Sequence, residues 1–255
     1  MPLYPATNPT ILNSGWISAN ETWTYASADT PTYTFTVAAD VTTKYSAGMK
    51  VMFTQTQVKY GIITAVSTFS GGNTTITVCM SMTSGTVDNS GLANAAISAN
   101  FYSTMKAPYS FPIDPLRWTL EDTDNTEQSQ SSPTQNVWYN VGTNTLAVPI
   151  GAWDLGYEAI AQFVKTTQTV SSIYATLSTA NNSNSDPEFQ CNIYAQVLQA
   201  STASVFNLVT RHKVVNLAAK TTYYLNLSTE IASAGSIEFR GDRGVTKIRA
   251  VLAYL

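Results

Sequence analysis

Hydrophobic residues recur at every second position along most of this chain. Tyr33, Phe35 and Val37 alternate with threonines, and Ile76, Val78 and Met80 repeat the pattern. Farther on the runs lengthen: Trp153, Leu155, Tyr157, Ala159, Ala161 and Phe163, then Ile173, Ala175 and Leu177. Phe189, Cys191, Ile193, Ala195 and Val197 continue the series, followed by Tyr223, Leu225 and Leu227, and then Ile248, Ala250, Leu252 and Tyr254. A period of two sets alternate side chains on one face of a strand, so each run predicts a strand with one buried face. Helical spacing is sustained nowhere, and its best stretch, 91–98, predicts one or two turns at most. The expected class is all-β.

Turn chemistry separates the runs. Ser70-Gly71-Gly72-Asn73 predicts a hairpin, and 181–187 is a polar loop between strand patterns. Ala234-Gly235-Ser236 and Gly241-Asp242-Arg243-Gly244 mark further breaks. Short strands at such intervals point to a sandwich or barrel. Pro108, Pro112 and Pro115 fall within one short stretch, where each lacks a donor and fixes φ. They predict a stiff, extended connector over 104–116. It would divide a small β domain, 16–103, from a larger one, 117–255. Residues 1–15, with Pro2, Pro5 and Pro9, read as an extended arm, and the polar segment 121–136 as an exposed loop.

Composition narrows the function. Of 255 residues only 11% are charged, against a hydrophobic fraction of 44% and a net charge of −3. About 25% charged is usual for a soluble domain, so Thr, Ser, Asn and Gln must carry solubility here. A surface short of charge lacks the usual electrostatic barrier to association, which makes partner chains expected. Without clustered Lys or Arg, nucleic acid is not an expected partner. No apolar stretch approaches the ~20 residues that span a bilayer, so membrane insertion is not expected. The N-terminal Met1-Pro2-Leu3-Tyr4-Pro5 shows no export signal.

Candidate chemistry is sparse. His212, between Arg211 and Lys213, is the one available imidazole base, and no Gly-x-Ser-x-Gly motif accompanies it. Cys79 and Cys191 lie in alternating runs and read as buried free thiols. One histidine and two distant cysteines do not make a zinc set. Asn181, Asn182, Asn184, Asp186 and Glu188 could offer oxygens to a calcium ion, although a solvated turn is the simpler reading. Asp122, Asp124 and Glu127 form the densest carboxylate cluster, the natural place for a glycosidase pair. Arg240-Gly241-Asp242 reads as a tight turn. Fourteen Tyr, 9 Phe and 5 Trp raise the question of sugar stacking. Trp16, Trp23, Tyr25, Trp138 and Tyr139 are its candidates, whereas Trp118 and Trp153, and Trp138 itself, are also expected in the core. Neither a cofactor, a metal nor a catalytic residue is expected.

Two blocks carry a family resemblance. The first comprises Trp23 through Val37, Lys44-Tyr45-Ser46-Ala47-Gly48-Met49-Lys50, Val58-Lys59-Tyr60, Leu92 through Ile97, and Lys106-Ala107-Pro108. The second comprises Ala175 through Ser183, Lys220 through Leu225, Arg240-Gly241-Asp242-Arg243 and Ile248 through Val251. These resemble tail-fibre, spike and head-fibre proteins of tailed bacteriophages and prophages. The resemblance implies a small N-terminal barrel-like module followed by a C-terminal jelly-roll-like sandwich. It also implies homotrimers in a virion, held to other virion proteins by the N-terminal half, with the C-terminal half exposed to the host surface.

The expected function is therefore non-enzymatic attachment, in which many weak contacts combine, with host cell-surface glycan as the expected ligand. A capsid-bound head fibre or decoration protein without receptor activity is the alternative. A carbohydrate depolymerase using Asp122 or Glu127 is the third.

Overall fold

The computed structural model describes residues 15–83, 86–88, 92, 96–105, 108, 111–165, 169–197, 203–230 and 235–254. The expected arm over 1–15 lies outside these residues but for Gly15, as does half of the stretch 91–98 expected to hold a helical turn, whose last residue, Ser98, opens a strand. The chain divides into two compact units, one ending at Trp118 and one spanning Thr119–Tyr254.

The first unit carries β1 (Ile17–Ser18), β2 (Trp23–Asp29), β3 (Thr32–Val37), β4 (Lys50–Thr54), β5 (Val58–Val66), β6 (Thr74–Met80), β7 (Met82–Thr83), β8 (Thr86–Val87) and β9 (Ser98–Ser103). Seven of these form one antiparallel sheet in the order β1-β9-β4-β5-β6-β3-β2, and β7 pairs with β8. Between β5 and β6 the expected hairpin forms. Ser70 and Asn73 bridge, with Gly71 and Gly72 at φ 60° and 82°, a conformation that glycine adopts without steric cost.

The large sheet is curled. β3 and β4 lie three strand spacings apart, roughly 14 Å on a flat sheet. Yet the rings of Phe35 and Phe53 are 5.5 Å apart, edge to face. Trp23, Tyr33, Phe35, Tyr45, Val51, Phe53, Ile63, Ile76 and Val78 fill the resulting concavity. Register shifts at Tyr25/Ser27, Met52/Thr54 and Ile63/Ala65 are bulges, which sharpen twist and bend strands. The barrel-like expectation holds as a half-barrel. Lys59 also points inward and is fully buried, with its ammonium 2.6 Å from Asp88.

The outward-facing Tyr60 of β5 anchors a second aromatic group. Trp16 and Phe111 lie 6.3 and 6.0 Å from it, and Phe111 stacks on Trp118 at 5.1 Å. The Trp118 indole donates to the Pro112 carbonyl at 2.9 Å, and Pro115–Trp118 forms a turn of 3₁₀ helix. The described residues of 104–116, expected as an extended spacer, thus belong to the first unit, because its aromatics gain more by stacking there.

The second unit carries β10 (Thr119–Asp124), β11 (Glu127–Ser131), β12 (Thr145–Val148), β13 (Gly151–Lys165), β14 (Thr169–Ser178), β15 (Cys191–Val197), β16 (Ala203–Leu217), β17 (Thr221–Thr229), β18 (Ser236–Arg240) and β19 (Thr246–Tyr254). Leaving aside the β11 and β18 pair, its strands pair as mirror images about the loop 179–190. β14 pairs with β15, β13 with β16, β12 with β17 and β10 with β19. This doubled ribbon then rolls up. Cross-ladders β13–β19 and β14–β17 close two sheets, β10-β19-β13-β16 and β12-β17-β14-β15. Eight strands in that order are a jelly roll. β11 and β18 pair with each other and extend the first sheet beside the far half of β13.

The alternating runs face inward. Trp153, Leu155, Tyr157, Ala159, Ala161 and Phe163 of β13 are buried with Ile173, Ala175, Leu177, Leu225, Leu227, Phe239 and Ile248. Tyr157 reaches across the core, its hydroxyl 3.0 Å from both the Ala175 and the Phe189 carbonyls.

The polar segment expected as a loop over 121–136 is a surprise. Its first half is the β10–β11 hairpin, without apolar alternation. Backbone ladders to β19 and β18 define these strands, and no apolar face is needed.

Candidate functional site

The expected chemical groups are spoken for. Asp122 accepts the Thr145 amide at 2.9 Å, and burial pushes its carboxyl above the usual range. Asp124 closes the hairpin by accepting from the Thr126 amide and hydroxyl at 2.8 and 2.6 Å. Burial opposes ionisation there, but those bonds and one from Gln128 outweigh it and lower its pKa. Glu127 pairs with Arg240 at 3.0 Å. The three carboxylates therefore serve the hairpin and its neighbours.

His212 sits on the outer face of the larger sheet, across from Gly156, 3.9 Å from Asp154 and more than half exposed. Arg240 folds back on Asp242 through two bonds of 2.8 and 2.7 Å. A Cβ on Gly241 would lie 2.4 Å from the Thr126 carbonyl. That tripeptide is the tight turn its composition predicted. Both cysteines are free; Cys79 is buried, whereas Cys191, expected to be buried, is half-buried.

The polar loop 181–188 is folded onto the outer face of the four-stranded sheet. Asn226 donates to the Ser183 carbonyl at 2.8 Å, Thr176 meets the Asn184 amide oxygen at 3.3 Å, and the Asn140 amide donates to Asn182 at 2.6 Å. Asp186 caps the short turn Pro187–Phe189 by accepting from the Glu188 amide at 3.0 Å. The Lys213 ammonium lies 2.7 Å from Asp186 and also pairs with Glu188. These bonds, first to Asp186 and then to Glu188, raise the Lys213 pKa. A lysine thus occupies the place a cation would take. Among the described residues no group of three His, Cys, Asp or Glu could hold a metal.

The aromatics sort differently from expectation. Trp16 and Trp23, proposed for stacking, are buried in the first unit, and Tyr25 packs on Phe35. Trp153 is core, Trp118 is half-buried against Phe111, and Trp138 is half-buried. Trp138 has a partner that was not singled out: Tyr174, 6.3 Å away and tilted 55°. Tyr194, 71% exposed, lies on the same face. Their alternation was the available signal, since inward Ile173 and Ile193 place Tyr174 and Tyr194 outward.

Ladder register lays this face out. Tyr139 bridges Leu227, so Trp138 stands beside Ser228; Ser228 pairs with Tyr174, and Tyr174 with Asn192. One step along, Glu230 bonds Ser172 through its backbone, and Ser172 pairs with Tyr194. The Tyr174 hydroxyl donates to Glu230. That bond, with a lesser one from Ser172, holds the Glu230 carboxyl below its usual range. The four strands β12, β14, β15 and β17 contain no Asp, Glu, Lys, Arg or His. The other sheet is heavily charged, with Asp154, Glu158, Arg211, His212, Lys247 and Arg249 among its residues. That sheet also bears a hollow of about 280 Å³, lined by Glu158, Ile160, Leu208, Val245 and Lys247.

No protein-family model and no curated protein matches the chain. Among solved structures it shows slight likeness to the infectious bursal disease virus VP2 subviral particle. Identity is 12%, coverage 97% of this chain and 74% of that one, and the TM-score 0.32. T=1 particles derived from infectious bursal virus match at 13% identity over 98% and 78%, with a TM-score of 0.29. An exo-β-1,3-galactanase from Phanerochaete chrysosporium with galactose matches at 9% over 91% and 57%, with a TM-score of 0.21. Two of the three are viral shells. Likeness this slight carries no argument about function, and the jelly roll stands on this chain's own strand order.

Proposed function

We propose that this chain is a non-catalytic structural subunit of a virus particle that serves attachment, with the 119–254 unit turned toward the host envelope. The observation that carries the reading is the jelly roll in which Asp122 is committed to a strand amide, Asp124 to a turn and Glu127 to an ion pair. The loop that might have bound a cation is likewise closed by Lys213. One outward face is built from four strands without a charged residue and presents partly exposed aromatics, which is binding chemistry. The phage-fibre resemblance of the two sequence blocks supports the same reading and adds a homotrimer with the first unit held in the particle. Multiple copies would combine weak contacts into firm adsorption.

Antibodies raised against residues 119–254 test this on intact particles. Decoration of the particle together with blocked adsorption is the expected result. Decoration with normal adsorption favours a decoration protein without receptor activity. Reducing ends released from envelope polysaccharide by the purified chain, and lost in Asp122→Asn or Glu127→Gln, would replace attachment by depolymerisation.

A further inference from the structure

Among the described residues, one segment covers part of the face formed by the four uncharged strands. The loop 179–190 roofs the end that holds Thr176, Ser178 and Asn226, all fully buried. At the other end, among the described residues, Asn192, Tyr194 and Glu230 are exposed. Across it stand Trp138, Ser228, Tyr174 and Asn192 in one row, with Glu230, Ser172 and Tyr194 in the next. We propose that this exposed end binds a neutral oligosaccharide, with pyranose rings stacked on Tyr194 and on the Trp138–Tyr174 pair and their hydroxyls bonded to Asn192 and Glu230. The inference rests on the attachment reading and assigns its ligand class and its site.

A pyranose ring has an apolar C–H face and a rim of hydroxyls. The negative face of an aromatic ring attracts polarised C–H groups, and phenol and indole rings present that face while tolerating water at their edges. Small neighbours, the buried Ser172 and Ser228, leave Tyr194 largely exposed and the Trp138 and Tyr174 rings partly so. Asn192 is exposed and can both donate and accept. Glu230 is exposed, ionised and already oriented by the Tyr174 hydroxyl, so it accepts hydroxyl donors without reorganising. From the Trp138 row position to Asn192 the face crosses three strand spacings, roughly 14 Å, which suits a short chain of sugars better than a single ring.

Charge and apolarity decide against other ligands. An anion would meet Glu230 and no cation on the four strands. A protein interface centres on contiguous apolar contact, yet among the described side chains of these strands Tyr194 is the one large hydrophobic that is exposed. The exposed aliphatics Leu208 and Val214 lie on β16 of the other sheet.

Saturation-transfer NMR on the full chain provides the test. The probes are methyl β-glucopyranoside, methyl β-galactopyranoside, N-acetylglucosamine and neutral oligomers of each. Transfer to ring C–H protons is expected from at least one probe. Affinity should fall about 10-fold or more in Tyr194→Ala and in Trp138→Ala, and stay within about 2-fold in Tyr194→Phe and Leu208→Ser. Both alanine positions are at least partly exposed, and unchanged circular dichroism confirms that they fold. Three results would overturn the inference: no transfer from any neutral probe, transfer unchanged in Tyr194→Ala, or binding confined to sulfated or sialylated sugars. An oligomer that dissociates in Tyr194→Ala would also overturn it, making the face a contact between copies. Particles carrying Tyr194→Ala that adsorb normally sink this ligand site alone. Antibodies to 119–254 that decorate particles without blocking adsorption sink the attachment reading beneath it.

Discussion

Replacing Tyr157 by Phe removes one hydroxyl from the middle of the roll and little else. The ring is 1% exposed and stays in place, so no cavity opens. The hydroxyl proton is shared between the Ala175 and Phe189 carbonyls, each 3.0 Å away. Ala175 and Cys191 form the last pair of the β14–β15 ladder, so this hydroxyl seals the point where the two strands part. Burial raises the phenol pKa, which keeps the proton available to donate through the neutral range. Loss of a net hydrogen bond costs ~1 kcal/mol, and a buried carbonyl left without a donor adds ~1–3 kcal/mol. The expected destabilisation is therefore about 2 kcal/mol. Urea unfolding followed by tryptophan fluorescence should show a lower midpoint at unchanged slope. Tyr223→Phe, whose ring packs on Phe189, serves as the control and should be near neutral. A Tyr157→Phe loss below about 0.5 kcal/mol would refute the assignment of this hydroxyl as the seal between the strands.

Gly241→Ala places a methyl 2.4 Å from the Thr126 carbonyl and 2.5 Å from that of Asp124, all rigid backbone, so thermal melts should show a loss of about 1–3 kcal/mol. Burial pushes the Cys79 thiol from 9.0 up to about 12. The unfolded thiol loses its proton first, so its contribution is complete below pH 9 and falls as pH rises toward 12, by ~1.4 kcal/mol per unit. Denaturation midpoints across that range should decline less steeply in Cys79→Ala than in the parent. Lys213→Met leaves Asp186 and Glu188 without their shared cation, and the loop 179–190 should become the first site of limited proteolysis; a cleavage pattern identical to the parent's would contradict the clamp.

Alternation was the most legible feature because a buried face imposes it residue by residue. Trp153 through Phe163, Ile173 through Leu177 and Tyr223 through Leu227 all face the core as their spacing predicts. The same parity places Tyr174 and Tyr194 outward, so the components of the exposed face could be found by subtraction. Which part of that face the loop covers could not. The roof over Asn226 consists of hydrogen bonds made by a loop whose composition suits a solvated turn equally well. β10 and β11 escaped notice for a related reason, since their ladders draw on backbone groups that every residue owns. Phe111 and Trp118 flank prolines that argue for extension, yet the stack on Trp16 and Tyr60 prevails over that local preference.

The mirrored pairing of the second unit also governs when it can fold. β19 lies between β10 and β13, so the earliest strand of this unit finds its neighbour only after residues 246–254 have been synthesised. Contacts so distant along the chain are slow to form, because loop closure must precede any reward. On the ribosome the half-made roll would expose its aromatic core for most of translation. Chaperone shelter of that core would then limit yield more than the stability of the finished fold.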